Sequence, residues 1–174
     1  MADLKQYGVL VVGLLMAGGF AFGGMASYST MIDTQSSNDN EIDAELPSDN
    51  FREGAYDLSV NERMYLSLQE DVVFVSAIYN TTEQKEQLMD LQGLEENFDG
   101  RVYMSVVSQD ESEVSRTYSI TEMPSVLLFG YTTSARENPS PGIVRGDLTE
   151  ENVASTICSS MNEWTGVESY CSRA

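Results

Sequence analysis

Apolar and polar positions alternate in blocks through the larger, C-terminal part of the chain, which predicts alternating strands and helices. Asp71 to Tyr79 is rich in β-branched and aromatic residues and has little polarity, as a central strand covered on both faces should have. Arg101 to Val107 and Ser125 to Tyr131 predict two further strands, and Gly142 to Arg145 predicts a short edge strand. We therefore expect an α/β domain built on a central sheet.

Helical patterns fill most of the remaining intervals. Ser59 to Leu68 and Glu111 to Tyr118 predict short helices, and Thr132 to Pro141 predicts a loop. The last helix is expected to begin near Thr149, because apolar residues recur at helical spacing from there and mark a face packed against the core. These residues are Val153, Ile157, Met161 and Trp164.

One further helix is predicted directly after the first central strand. Thr81 and Gln84 form a capping-box pattern, in which each side chain bonds to the backbone of the other residue. The helix that begins there is expected to be continuous up to the turn at Asp99 and Gly100. It carries three apolar residues: Leu88, Leu91 and Leu94.

The N-terminal region has a different pattern and predicts a membrane anchor over residues 1–32. It has no charged residue from Gln6 to Ile32, and Gly8 to Ala26 is almost wholly apolar or glycine. A helix of this length crosses a hydrocarbon core of about 30 Å. The alternative is a secretory signal peptide cleaved near Ala26, which would leave a secreted soluble domain.

The flanks of the predicted span suggest its orientation and a contact. Lys5 precedes the span and the residues soon after it are acidic, so the positive-inside rule places the domain outside the cytoplasm. Gly19 and Gly23 have the GxxxG spacing that lets two membrane helices approach closely. We expect a helix–helix contact at these glycines, although glycine is also simply common in membrane helices.

Residues 33–50 form a polar, acidic segment with few apolar residues, which predicts a flexible linker. Residues 51–174 then contain the folded domain and a C-terminal tail.

Charge narrows the range of functions. The chain has 28 acidic and 9 basic residues, a formal charge of -19, and no histidine. Molar salt screens such self-repulsion, so we expect a protein of a halophile; the alternative is an acidic surface for a cationic partner. The acid excess excludes nucleic-acid binding, and the lack of histidine excludes histidine-based nucleophilic or metal sites. We predict no cofactor and no metal.

The segment from Ile120 to Phe129 combines a short run ending in Pro124 with an apolar strand. It resembles the cis-proline segment of the thioredoxin-fold family, and the order of the predicted elements is similar to that family from about Tyr56 to Trp164. The resemblance implies a three-layer domain with a central mixed sheet. It also implies a cis bond between Met123 and Pro124, beside a groove that accepts an extended peptide.

The chain departs from this family at the catalytic dithiol. Aligned through Ala77, the positions of the Cys-x-x-Cys motif are occupied by Asn80, Thr81, Thr82 and Glu83. No cysteine precedes Cys158, and the family's buried acid falls on Phe74. Thiolate chemistry at this helix start is therefore excluded. The triplet that begins at Asn80 is instead an N-glycosylation sequence if the domain is external.

Two cysteines remain, Cys158 in the last predicted helix and Cys171 in the tail. A structural disulfide forms if the tail folds back along the helix, and this is the pairing we expect in an external compartment. Two free thiols, or a displaced redox pair, are the alternatives. Nearby Glu163 and Glu168 disfavour a thiolate.

These features predict a redox-inactive, membrane-anchored thioredoxin-like module that binds other proteins and is not an enzyme. Protein partners are expected to bind at the membrane span and at the domain. The chain itself is expected to be an accessory or structural subunit of an envelope assembly, cellular or viral. The alternative is a thiol–disulfide oxidoreductase that uses Cys158 and Cys171.

Overall fold

The computed structural model describes residues 42–137, 139–146, 148–163 and 166–172. The predicted span with Gly19 and Gly23, the first part of the predicted linker, and Trp164 lie outside the described residues. Within the described part, no helix is long and apolar enough to cross a membrane. From Ala44 onward the chain forms one compact unit.

Strands and helices alternate along the described chain. In order they are β1 (Phe51–Glu53), α1 (Val60–Gln69), β2 (Val73–Tyr79), α2 (Thr82–Met89), a 3-10 helix (Leu94–Phe98), β3 (Val102–Ser108), α3 (Glu113–Thr117), β4 (Ser125–Phe129), α4 (Tyr131–Ser134), β5 (Gly142–Arg145), α5 (Glu150–Ser160) and α6 (Glu168–Cys171).

The five strands form one mixed sheet in the order β1-β3-β2-β4-β5. Strand β3 is parallel to β1 and β2, whereas β4 runs antiparallel to β2 and β5 antiparallel to β4. The predicted α/β class and central mixed sheet are confirmed. Strand β5 lies at an edge of this sheet, as its short apolar run predicts.

The sheet is covered on both faces, because alternate residues of the central strand enter two different clusters. Val75 and Ala77 of β2 pack in the cluster that includes residues of α2 and α5. Phe74 and Ile78 pack in the cluster that includes residues of α1 and α3. This double burial is why the β2 sequence shows no polar alternation.

The prediction of one continuous helix after β2 is wrong. Helix α2 ends at Met89, and Leu94 begins a separate 3-10 helix. Gly93 between them has a left-handed backbone with φ of 93°, which interrupts helical geometry at little cost for a glycine. The three leucines are nevertheless all buried, because the break keeps them against one core cluster.

Strand β4 also ends earlier than predicted, and a helical turn, α4, occupies part of the predicted loop. At Gly130 the chain passes so close to α5 that a Cβ atom would lie 2.5 Å from the carbonyl oxygen of Ser160. The Thr132 hydroxyl donates to the carbonyl of Ser159 at 2.8 Å and so holds α4 against the C-terminal end of α5. The turn thus depends on a contact with a distant helix.

The folded unit includes the last part of the predicted linker. Ala44 and Leu46 pack against the core cluster beneath α1 and α3. The Asn50 side chain donates to the carbonyls of Gly100 at 3.0 Å and Val102 at 2.8 Å. Residues 44–50 are therefore fastened to the domain rather than forming part of a free tether.

Candidate functional site

The turn from Asn80 to Glu83, where the resemblance predicts the dithiol positions, lies beside the Met123–Pro124 pair. Asn80 follows the end of β2, and Ile78 of β2 pairs with Ser125 of β4. Because Ser125 directly follows Pro124, this register brings Pro124 to the end of β2. The peptide bond between Met123 and Pro124 is cis.

The side chains of this turn are exposed, whereas the proline pair is half-buried. All four turn residues are open to solvent: Asn80, Thr81, Thr82 and Glu83. Met123 packs in part against the cluster beneath α1 and α3, so its other side is accessible. The site therefore combines a polar rim with a small apolar surface.

Gln84 joins the two halves of the site. Its Nε2 donates to the carbonyl of Met123 at 3.2 Å, and its Oε1 accepts from the backbone N–H of Asn80 at 3.0 Å. The Gln84 N–H donates to Thr81 Oγ1 at 3.3 Å. Only half of the predicted capping box forms, because the Gln84 side chain reaches Asn80 rather than the backbone of Thr81.

A second glutamine fastens the loop before the proline pair to the end of β3. The backbone N–H of Gln109 donates to the carbonyl of Tyr79 at 2.7 Å. Its Nε2 donates to the carbonyl of Ile120 at 3.1 Å. Neither glutamine was predicted as a site residue, because their hydrogen bonds join segments that are distant in the chain.

A buried cation, Arg63, lies against β2 on the side of the sheet that α1 covers. Arg63 of α1 donates to Ser76 Oγ at 2.9 Å, to the carbonyl of Leu58 at 3.1 Å and to that of Tyr56 at 3.4 Å. Burial lowers the pKa of Arg63, and the charge of Glu113 partly offsets this. Its burial had one sign in the sequence. Arg63 lies three residues after Val60 and three before Leu66, which is the spacing of one helix face.

Phe74, which the resemblance predicts at the position of the family's buried acid, packs among aromatic rings. Phe74 is 1% exposed, and its ring stacks on Tyr103 with ring centroids 5.4 Å apart. The ring of Tyr56 meets Phe74 edge-on at 6.3 Å. No carboxylate occupies this position, so it offers no proton-transfer group.

The two cysteines form a disulfide bond that joins the C-terminal part of α5 to α6. Cys158 is 4% exposed and Cys171 is 6% exposed, and both belong to the core cluster on the α2 and α5 face. Tyr170 beside the bond meets the ring of Phe98 edge-on at 5.1 Å. The predicted disulfide is confirmed, and it holds the tail on the core.

The described residues supply little for other chemistry. No cluster of three or more acidic, cysteine or histidine side chains in them could hold a metal ion. The turn itself carries amide, hydroxyl and carboxylate groups beside an apolar surface. Such a mixture can bind a ligand or a protein segment through hydrogen bonds and packing.

Comparison with known proteins reaches only the level of the fold. No protein-family model and no curated protein matches the chain. Among solved structures, a thioredoxin of Schistosoma mansoni is 18% identical, covers 63% of this chain and 94% of its own, and gives a TM-score of 0.45. A chain from work on the thiol-resolving mechanism of yeast mitochondrial 1-Cys peroxiredoxin is 19% identical, with coverages of 58% and 90% and a TM-score of 0.42.

A third neighbour, chloroplastic thioredoxin z, is 15% identical, covers 62% of this chain and 91% of its own, and gives a TM-score of 0.41. The order and the directions of the five strands are the structural basis for describing the fold. The fold is thioredoxin-like. This thioredoxin-like domain has a polar turn, Asn80 to Glu83, directly after β2.

We predict that Gln84→Ala lowers the free energy of unfolding by about 1–2 kcal/mol, because it removes two hydrogen bonds and leaves the groups at Asn80 and Met123 without them. Urea denaturation measures this change. Gln87→Ala is the matched control. Gln87 lies in the same helix and is exposed, and its side chain makes no hydrogen bond to any described residue. Equal effects of the two substitutions would contradict the bridging role of Gln84.

Proposed function

We propose that this chain is a redox-inactive, membrane-anchored thioredoxin-like module that binds a segment of another protein at the Met123–Pro124 groove. The observation that carries the proposal is the exposed Asn80–Glu83 turn beside the half-buried Met123–Pro124 pair. It has no thiol, and both cysteines of the chain are bonded to each other elsewhere. The site thus keeps a binding surface of the family and lacks the family's reactive group.

Several properties of the site support binding rather than catalysis. Gln84 and Gln109 hold the turn and the loop before Pro124 in place without a partner. A preorganised surface loses less conformational entropy when it binds. Amide, hydroxyl and carboxylate groups at the rim can pair with the backbone of an extended segment.

The membrane and assembly parts of the proposal rest on the sequence. The uncharged segment from Gln6 to Ile32 is long enough for a single-pass anchor, and Gly19 and Gly23 provide a surface for a second helix. The charge distribution around the span favours an extracytoplasmic domain. We therefore propose that the chain is an accessory or structural subunit of an envelope assembly, cellular or viral, in a halophile.

Site-directed photo-crosslinking in the full chain tests the groove. A photoreactive residue is placed at Glu83, in the first turn of α2, and in a control chain at Glu70, which is exposed and precedes β2. The chain is purified in mild detergent at molar salt, irradiated and analysed by mass spectrometry. A stoichiometric protein crosslinked from Glu83 and not from Glu70 is the expected result.

The opposite outcomes are equally informative. A partner that copurifies but crosslinks only from Glu70 would contradict binding at the groove. A lone monomer, with no crosslink from either position, would contradict the interaction module as a whole.

The disulfide supports one alternative, a thiol–disulfide oxidoreductase that uses Cys158 and Cys171. Their deep burial and the acidic residues nearby count against it, since an exchanging thiolate needs access and a positive environment. Loss of disulfide-exchange turnover on replacement of both cysteines, in a chain that stays folded, would favour this enzyme over the binding module.

A further inference from the structure

The turn at the end of β2 contains a complete acceptor sequence for N-linked glycosylation, Asn80-Thr81-Thr82. One other asparagine, Asn138, has a hydroxyl residue two positions later, but Pro139 between them makes that triplet unusable. The chain therefore offers one acceptor and, in the same molecule, one inactive triplet for comparison.

The structure leaves the acceptor groups accessible. Asn80 and Thr82 are both exposed, and among the described residues neither side chain has a hydrogen-bond partner. The backbone at Asn80 is held instead, through its N–H bond to Gln84. A substituent on the Asn80 amide would thus break no side-chain hydrogen bond within the described part of the chain.

The backbone between the amide and the hydroxyl is extended at one residue, Thr81. Thr81 has φ of -132° and ψ of 156°, which is extended. Side chains two residues apart in extended backbone project to the same side. One extended residue thus separates Asn80 from Thr82, the two residues that define the acceptor sequence, and Thr82 begins α2.

We infer that Asn80 is an N-glycosylation site of this protein. In the transfer, Asn80 Nδ2 attacks the anomeric carbon of a sugar carried on a polyisoprenyl phosphate lipid. The carbon–nitrogen bond forms as the bond from that carbon to the phosphate oxygen breaks, the amide loses one proton, and the lipid phosphate leaves. The inference rests on the proposed function in one respect, the external placement of the domain. The transfer itself involves no oxidation or reduction.

The position of the site gives the modification a consequence. Gln84 binds both the N–H of Asn80 and the carbonyl of Met123, so the acceptor stands at the edge of the Met123–Pro124 groove. A glycan there covers part of the groove's rim. We expect the modified chain to admit a narrow extended segment and to exclude a bulky folded partner.

Peptide mapping of the full chain isolated from the membranes of its own host tests the inference. Cleavage after arginine and lysine releases Met64–Lys85, which contains Asn80, and Glu137–Arg145, which contains the inactive triplet. We expect a glycan mass on the first peptide alone. Thr82→Ala should abolish it and Thr82→Ser should retain it, while both variants keep the wild-type far-ultraviolet circular dichroism.

The location of the domain is measured in the same material by adding protease to intact cells. An external domain with an unmodified Met64–Lys85 peptide would overturn the inference and leave the proposed function standing. A protected, internal domain would overturn both the inference and the placement on which it rests. Binding at the groove is assessed separately on unmodified protein, so its failure is distinguishable from either result.

Discussion

Breaking the Cys158–Cys171 bond is expected to lower the free energy of unfolding by about 3 kcal/mol. The bond spans 13 positions, and its removal frees the unfolded chain from a closed loop. Helix α6 has only four residues, which is too short to persist without tertiary support. Without the bond, the packing of buried Val167 and the contact of the half-buried Tyr170 ring with Phe98 are weakened.

Urea denaturation with and without a dithiol reductant measures the effect. The double variant Cys158→Ala with Cys171→Ala is the control, because its unfolding midpoint should not respond to reductant. Hydrogen exchange in the reduced protein should quicken first between Gly166 and Ser172. A reductant-induced change below about 1 kcal/mol would contradict the role of the bond as the main support of the tail.

Lowering the salt concentration should destabilise the domain as strongly. The formal charge is -19, and the screening length grows from about 3 Å at 1 M salt to about 10 Å at 0.1 M. Exposed ion pairs such as Lys85 with Glu53 and Arg145 with Glu122 offset little of this repulsion. We expect the thermal midpoint to fall by about 10 °C or more, equivalent to about 3 kcal/mol.

Thermal unfolding followed by circular dichroism in sodium chloride measures this dependence. Sucrose at matched osmolality is the control, because it favours the compact state by exclusion from the protein surface and does not screen charge. A midpoint that is the same at 0.1 M and 1 M sodium chloride would contradict the halophilic interpretation of the acid excess.

Much of the architecture was predictable because its signals are local. The double-sided burial of β2 appears directly as a run from Val72 to Ile78 in which Ser76 is the one polar residue. The starts of α1 and α5 follow from Ser59 and Thr149, whose side chains accept hydrogen bonds from backbone N–H groups three residues later. Such caps need no distant partner, so sequence alone reveals them.

Other elements could not be predicted because distant parts of the chain decide them. Strand β1 has three residues, two of them exposed, and exists through its pairing with β3. Helix α4 depends on the close approach of Gly130 to Ser160. Residues such as Ala44 and Leu46 look like linker until the core cluster that covers them is known.

The candidate site divides in the same way. The sequence alone determined that the turn from Asn80 to Glu83 has no thiol and that the cysteines are confined to the C-terminal region. Only the tertiary structure decided that this turn meets the Met123–Pro124 pair through Gln84. The reason is physical, since residue chemistry and helix caps are set within a few positions, whereas a bond across 39 residues of chain forms only when the sheet brings its ends together.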